Sequence, residues 1–177
     1  MAARSQKLRL IAAVVILSTC VGCDQLTKSI ATHSLRDMPP QTYLNGTIRI
    51  EYALNPGGFL SLGSNLPDEF RPWIFIGINS CLLLALSSFL FVRRNLPFTL
   101  FGAMLLILAG GIGNLIDRMS NNGLVTDFIN VGIGPFRTGI FNVADIAVTC
   151  GAIAAIFFMQ RWASVEDVEN DKRHLRG

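Results

Sequence analysis

The sequence predicts an all-α polytopic membrane protein: four transmembrane helices carrying a small extracytoplasmic β-sheet subdomain. Three observations predict it. Of the 177 residues 51% are apolar and only 15% charged, with a mean hydropathy of +0.46, whereas a soluble domain carries roughly 25% charged residues. The apolar residues cluster in blocks close to the ~20 residues that a helix needs to cross about 30 Å of hydrocarbon. The basic residues gather in three short segments at the block ends.

The blocks fall at about 8–28, 73–92, 96–116 and 141–162. The mostly apolar stretch of the first, 8–23, is short, so its helix is expected to run past Asp24 into the interface. Pro97 suits the first turn of the third helix, where a missing N–H has no partner to lose. With outer loops at 29–72 and 117–140, residues 1–162 form a single membrane domain, as the length allows. The tail 163–177 mixes both charges without apolar periodicity and is expected to be cytoplasmic, solvated and disordered. No internal repeat is visible.

Orientation follows from the basic residues. The N-terminal end carries Arg4, Lys7 and Arg9, the turn after the second block carries Arg93 and Arg94, and the C-terminal end carries Arg161, Lys172, Arg173 and Arg176. Nine of the fifteen basic residues thus lie on one side, and six are left for the other, five in the two long loops and Lys28 at the outer end of the first helix. Both termini are expected to be cytoplasmic. The net charge of +3 is an orientation signal, and no basic patch argues for nucleic acid. A basic start before a short apolar run also resembles a cleaved signal peptide, but Thr19 fits a cleavage box before Cys20 poorly, so a retained helix is expected. Cys20 and Cys23 have CxxC spacing on one helix with no His nearby, which argues against zinc or redox chemistry. All four cysteines, with Cys81 and Cys150, are expected to pack as buried thiols.

In the first outer loop, 47–54 alternates, with Ile48, Ile50, Tyr52 and Leu54 on one face and Arg49 and Glu51 on the other. Period 2 predicts a half-buried strand, ended by Pro56, Gly57 and Gly58, and a small sheet on the membrane surface. Residues 64–72, with Pro67 and Pro72, read as the re-entry turn. In the second loop, Asn121-Asn122-Gly123 is a turn signal. A short apolar run over 124–131 follows, interrupted by Asp127 and closed by Gly132, Gly134 and Pro135. The third block ends in Ala109-Gly110-Gly111-Ile112-Gly113-Asn114. No Lys-Ser/Thr follows to make a phosphate cradle, so the glycines are expected to let membrane helices approach closely.

Ionisable side chains at membrane depth are expensive and usually functional. Asp24, Lys28, Asp117, Arg118, Asp127 and Asp145, with the uncharged Asn114 and Asn142, all fall at the outer helix ends or in the outer loops, and so can converge at one depth. Bland readings compete. Asp145 lies one turn into the fourth helix, where the macrodipole favours a carboxylate, and Asn142 is a good N-cap. Asp117 and Arg118 read as structural charge partners, and Asp24 and Lys28, four apart, as an ion pair pinning the first helix. Capping does not explain Asp127. Two carboxylates in a low-dielectric site cannot both ionise easily, so one keeps its proton and the pair splits into acid and base. Such a pair can activate water and polarise a carbonyl, the chemistry of aspartic peptidases. Structural aspartates and a proton-coupled transporter remain open on spacing alone.

These residues stand in five stretches: Asp24-Gln25-Leu26-Thr27-Lys28, Asn55-Pro56-Gly57, Gly113-Asn114-Leu115-Ile116-Asp117-Arg118, Val125-Thr126-Asp127-Phe128 and Phe141-Asn142-Val143-Ala144-Asp145. In that order they resemble the motifs of the lipoprotein signal peptidase (signal peptidase II) family over about 8–162. The resemblance implies a bacterial inner-membrane aspartyl endopeptidase with four helices, both termini inside and its site near the outer face. It implies Asp127 and Asp145 as the catalytic dyad, Asn55, Gly57, Asn114, Arg118 and Asn142 as residues positioning substrate and dyad, and Asp24 and Lys28 as a brace. The implied substrate is a diacylglyceryl-modified prolipoprotein cut before its lipidated cysteine, with membrane lipids around it. Neither metal nor other cofactor is implied. Globomycin-type inhibitors are expected to bind, and a monomer is expected to act.

One departure stands out. Where the family usually has Asn-Thr-Gly-Ala-Ala-Phe-Ser, this chain has Asn55-Pro56-Gly57-Gly58-Phe59-Leu60-Ser61. Pro56 fixes a backbone angle and removes a donor, and Phe59 replaces a small residue, so altered substrate preference or weaker inhibition is expected. Unchanged cleavage and inhibition after restoring the usual loop would sink that expectation. The competing reading, a diverged non-catalytic transport or binding paralogue, would be favoured by loss of either aspartate, and neither is lost.

Overall fold

A computed structural model describes residues 2–57, 67, 69–93 and 95–174, with side chains described over 6–57, 67, 69–93 and 95–162. Helices α1 (Ala2–Leu35), α2 (Arg71–Val92), α3 (Phe98–Ser120) and α4 (Val143–His174) alternate with strands β1 (Gln41–Tyr43), β2 (Ile48–Asn55), β3 (Val125–Ile133) and β4 (Phe136–Arg137). All four expected spans are present, each long and apolar enough to cross a membrane. α1 is longer than expected at both ends. Pro97 stands just before α3 as its N-cap, while Pro72 occupies the first turn of α2. α4 does not stop at 162. Its backbone stays helical to His174 where a disordered tail was expected, since no glycine or proline interrupts 152–174 and Glu169 precedes Arg173 at the four-residue spacing that supports a helix.

α3 is the centre of the bundle. It packs against α4 most extensively, then α1, then α2, and carries the buried side chains Leu100, Phe101, Ala103, Leu105, Leu108 and Ala109. The outer faces of α1, α2 and α4 leave Leu10, Val14, Leu82, Leu84, Ile153 and Phe157 more than half exposed. In water such a surface would aggregate, and in lipid it is the ordinary exterior. The cysteines follow the same rule and correct the expectation of burial. Cys23, Cys81 and Cys150 are exposed on helix faces and Cys20 is half-buried.

The glycine run does what packing requires. A Cβ on Gly110 would stand 2.3 Å from the Ala144 carbonyl oxygen, and one on Gly113 would stand 2.5 Å from Asp24 Oδ2. Close approach of α3 to α1 and α4 therefore depends on missing side chains.

The four strands form one antiparallel sheet in the order β1-β2-β3-β4. The β1–β2 turn holds Leu44, Asn45 and Gly46 at positive φ, and the turn into β3 does so at Asn122 and Gly123, where Asn and Gly tolerate the left-handed region. An isolated bridge joins Ile129 to Phe141. It ties the start of α4 to β3.

Candidate functional site

The start of α4 is assembled by its own cap and by residues of α1, α3 and β3. Asn142 Oδ1 accepts the Asp145 N–H at 2.9 Å, and Asp145 Oδ2 accepts the Asn142 N–H at 3.2 Å, a reciprocal capping box. The next orphan donor, the Ala144 N–H, is taken by Asp24 Oδ1 of α1 at 2.8 Å. Both bland readings of Asn142 and Asp145 are therefore true. The cap leaves Asp145 Oδ1 to receive Asn114 Nδ2 of α3 at 2.9 Å.

Asp127 sits on β3 with 1% of its surface exposed. Asn142 Nδ2 donates to its Oδ1 at 2.7 Å and Asn55 Nδ2 to its Oδ2 at 2.9 Å. Asn55 reaches it because of a β-bulge. Ile50 pairs with Ile129, but the next aligned pair is Ala53 with Asp127, so two residues of β2 oppose one of β3. The extra residue switches the parity of the strand. Ala53 and Asn55 then share the Asp127 face, whereas the regular alternation read from the sequence would put Tyr52 and Leu54 there. Leu54 is exposed instead. Asn55 is held in turn by the Gly57 N–H, which donates to Asn55 Oδ1 at 2.9 Å, and Arg118 Nη2 donates to the Gly57 carbonyl at 2.9 Å.

Behind the two carboxylates lies a buried charge network. Lys28 Nζ stands 2.8 Å from Asp24 Oδ2, 3.4 Å from Asp117 Oδ2 and 2.9 Å from Asn114 Oδ1. The Asp24–Lys28 pair is thus formed as the spacing predicts. Asp117 and Arg118 are not each other's partners, contrary to expectation, because consecutive helical residues point about 100° apart. Asp117 turns to Lys28 and accepts the Thr126 N–H at 2.8 Å. Arg118 donates to the Asn114 and Gly57 carbonyls and lies 5.6 Å from the Phe75 ring centroid. A residue the sequence reading passed over completes the network. Gln25 Nε2 donates to Asp117 Oδ1 at 3.0 Å, to the Gly113 carbonyl at 3.2 Å and to Asp24 Oδ2 at 3.1 Å. Its signal was available, as an uncharged polar side chain between Asp24 and Lys28.

Asp127 and Asp145 open on one cavity of about 380 Å³. Asn55, Asn114 and Arg118 line it with them, and Ile140, Phe141 and Ile146 supply apolar walls. Asp24, Lys28, Gly57 and Asn142 stand outside the lining and act on it through the residues they hold. Burial pushes the Asp127 carboxyl up to about 6, and the nearby Asp145 pushes the same way. The hydrogen bonds from Asn55 and Asn142 and the charge of Lys28 oppose the rise. All nine residues to which the resemblance gives a role, and Asp117 with them, thus belong to one constellation. The loop residues Gly58 and Phe59 lie outside the described residues.

A family model described as signal peptidase (SPase) II matches residues 15–161. The chain belongs to the signal peptidase II family. Membership makes it a peptidase. Among its relatives, the lipoprotein signal peptidase of Chlorobium luteolum is 34% identical over 155 residues, covering 80% of this chain and 86% of that one. The lipoprotein signal peptidase of Desulforapulum autotrophicum is 29% identical over 145 residues, covering 81% and 88%. A bacterial membrane enzyme solved by the in meso method at 2.3 Å superposes with a TM-score of 0.71 at 28% identity, covering 89% of this chain and 90% of that one. A second, solved at 1.9 Å, gives 0.70 at 29% identity. As a signal peptidase II the chain is a multi-pass membrane protein, and the two carboxylates sit where its apolar helices meet its sheet.

Proposed function

We propose that Asp127 and Asp145 are the catalytic dyad with which this signal peptidase II hydrolyses diacylglyceryl-modified prolipoproteins before the lipidated cysteine. Removal of signal peptides from prolipoproteins is the work of the family. The observation that carries the dyad assignment is that two carboxylates on separate elements, Asp127 buried and Asp145 half-buried, face one cavity while Asp24, Asp117 and Lys28 stand behind it, committed to bracing.

The chemistry follows from a shared proton. With one carboxylate ionised and one protonated, the ionised group takes a proton from water as the oxygen attacks the scissile carbonyl, and the protonated group gives its proton to the carbonyl oxygen. The tetrahedral diol then collapses. One hydroxyl proton returns to the dyad, the amide nitrogen leaves with a proton, and the pair is restored to its starting charge. Asn55, Asn142 and Asn114 donate to the carboxylate oxygens and so fix which lone pairs face the cavity. Gly57 and Arg118 hold Asn55 and the cavity wall. Asp24, Lys28, Asp117 and Gln25 keep α1, α3 and the α4 cap in register.

The apolar walls suit a substrate whose acyl chains stay in the bilayer while its peptide bond reaches the polar floor. This reading includes an active site near the outer face of the cytoplasmic membrane, both termini inside, a monomer at work, and competition by globomycin-type inhibitors. The test is cleavage of a lipid-modified prolipoprotein by the purified protein and by Asp127→Asn and Asp145→Asn. Loss of cleavage in both variants is expected. An inactive unsubstituted protein, or full activity in either variant, would overturn the assignment.

A further inference from the structure

At the other end of the bundle a second cavity of about 380 Å³ opens between α1, α2 and α3. Arg9, which borders it, lies fifteen residues before Asp24, about 22 Å along α1. Ala13, Leu17, Leu90, Phe101 and Leu105 make its walls, and Phe101 and Leu105 belong to the buried core of the bundle. Gln6 and Ser87 are its uncharged polar members, and the rest of the lining is apolar apart from one charge. Its charged member is Arg9. Arg9 Nη2 donates to the Leu96 carbonyl, and the guanidinium carbon stands 5.0 Å from the Phe101 ring centroid. Nη1, also buried, has no acceptor. A guanidinium is thus pinned by one carbonyl and one ring, with a donor left over beside an apolar groove.

Among the residues with described side chains, the surrounding charge has one sign. Lys7 and Arg93 lie at this end with Arg9, while the seven carboxylates among the residues with described side chains (Asp24, Asp37, Glu51, Glu69, Asp117, Asp127 and Asp145) all belong to the opposite end. Basic pockets between membrane helices on the cytoplasmic side suit anionic lipid head groups.

We propose that this groove is a binding site for an anionic phospholipid of the cytoplasmic leaflet, with one acyl chain between α1, α2 and α3 and its phosphate on Arg9. The guanidinium offers the phosphate two N–H groups in a fixed plane, and the groove offers the chain the contacts that α1 and α2 leave unmade.

The test uses the full-length protein in detergent, with bound lipid read by native mass spectrometry during titration with phosphatidylglycerol or phosphatidylcholine of the same chains. Phosphatidylglycerol is expected to be retained at about fivefold lower concentration, as one interfacial cation implies. Arg9→Gln is expected to abolish that preference, and Leu105→Trp, which fills the groove and keeps Arg9, to weaken retention of both lipids. Circular dichroism and size-exclusion elution report whether each variant is folded. Equal retention of the two lipids by the unsubstituted protein, an undiminished preference in Arg9→Gln, or unchanged retention in folded Leu105→Trp would overturn the proposal.

Discussion

Replacing Asp127 by asparagine separates the stability of this site from its chemistry, and pH is the variable that does it. Burial holds the folded-state carboxyl at about 6 against an ordinary value of 3.8. The folded protein therefore holds this proton more tightly than the unfolded chain does. The stability associated with Asp127 is fully present below pH 3.8 and is lost as pH rises to about 6. Beyond that the loss is complete. A gap of roughly two pH units at 1.36 kcal/mol each makes the loss about 3 kcal/mol.

An asparagine side chain does not titrate, so the variant would escape this loss. It would have a different cost, independent of pH. Asn142 and Asn55 both donate to the carboxylate, and neither amide can turn round, because Asn142 Oδ1 holds the Asp145 N–H and Asn55 Oδ1 holds the Gly57 N–H. One amide donor would then face another, at about 1–3 kcal/mol. The absolute effect of Asp127→Asn is thus small at neutral pH, while its pH dependence is large. Thermal unfolding of both proteins in one detergent, from pH 4 to pH 8, should show the variant gaining about 2.5 kcal/mol on the unsubstituted protein across that range, the remainder falling below pH 4. Parallel stability curves would refute the assignment of a buried, proton-holding carboxyl at position 127.

Three further outcomes follow. Asn55→Ala removes a hydrogen bond that favours the ionised Asp127, so the alkaline limb of the pH–kcat/KM profile should move up, by about one pH unit. A downward shift would contradict the contact. Gly110→Ala drives a Cβ into the Ala144 carbonyl and should lower stability by about 1–3 kcal/mol, seen as a fall in Tm, with cleavage reduced because the α4 cap shifts. Single cysteines placed at Gly134 and Asn95 should report topology. The first should react with an impermeant maleimide in intact cells and the second only after lysis, and the reverse pattern would invert the proposed orientation.

The spans were legible because the bilayer imposes one length on all of them, and the site because charges at membrane depth are few. The sheet was half legible. Period 2 located β2, but a bulge is a property of two paired strands, and nothing in 47–54 alone says that Glu51 and Tyr52 together oppose Phe128. The same blindness to pairing made Asp117 and Arg118 look like partners. β1 carried a signal that went unread, since Asn45-Gly46 is a strong hairpin turn. Gln25 escaped because it has no charge to mark its cost.

The bulge and the cap answer the same physical need. A carboxylate buried without partners is prohibitive, yet a dyad loses its use if cations neutralise it. Here Asp127 and Asp145 receive their bonds from asparagine amides and a backbone N–H, while the neighbouring cations hold other partners, Lys28 between Asp24 and Asp117 and Arg118 on the Asn114 and Gly57 carbonyls. Neutral donors lower the cost of burial without fixing the charge of the pair, so a proton can still move between the two. Exchanging Asn114 or Asn142 for a cationic residue would therefore bind the carboxylates better and catalyse worse. Under the proposed dyad, capping and catalysis are therefore not rival accounts of Asp145. The cap holds one oxygen still while the other remains available to the cavity.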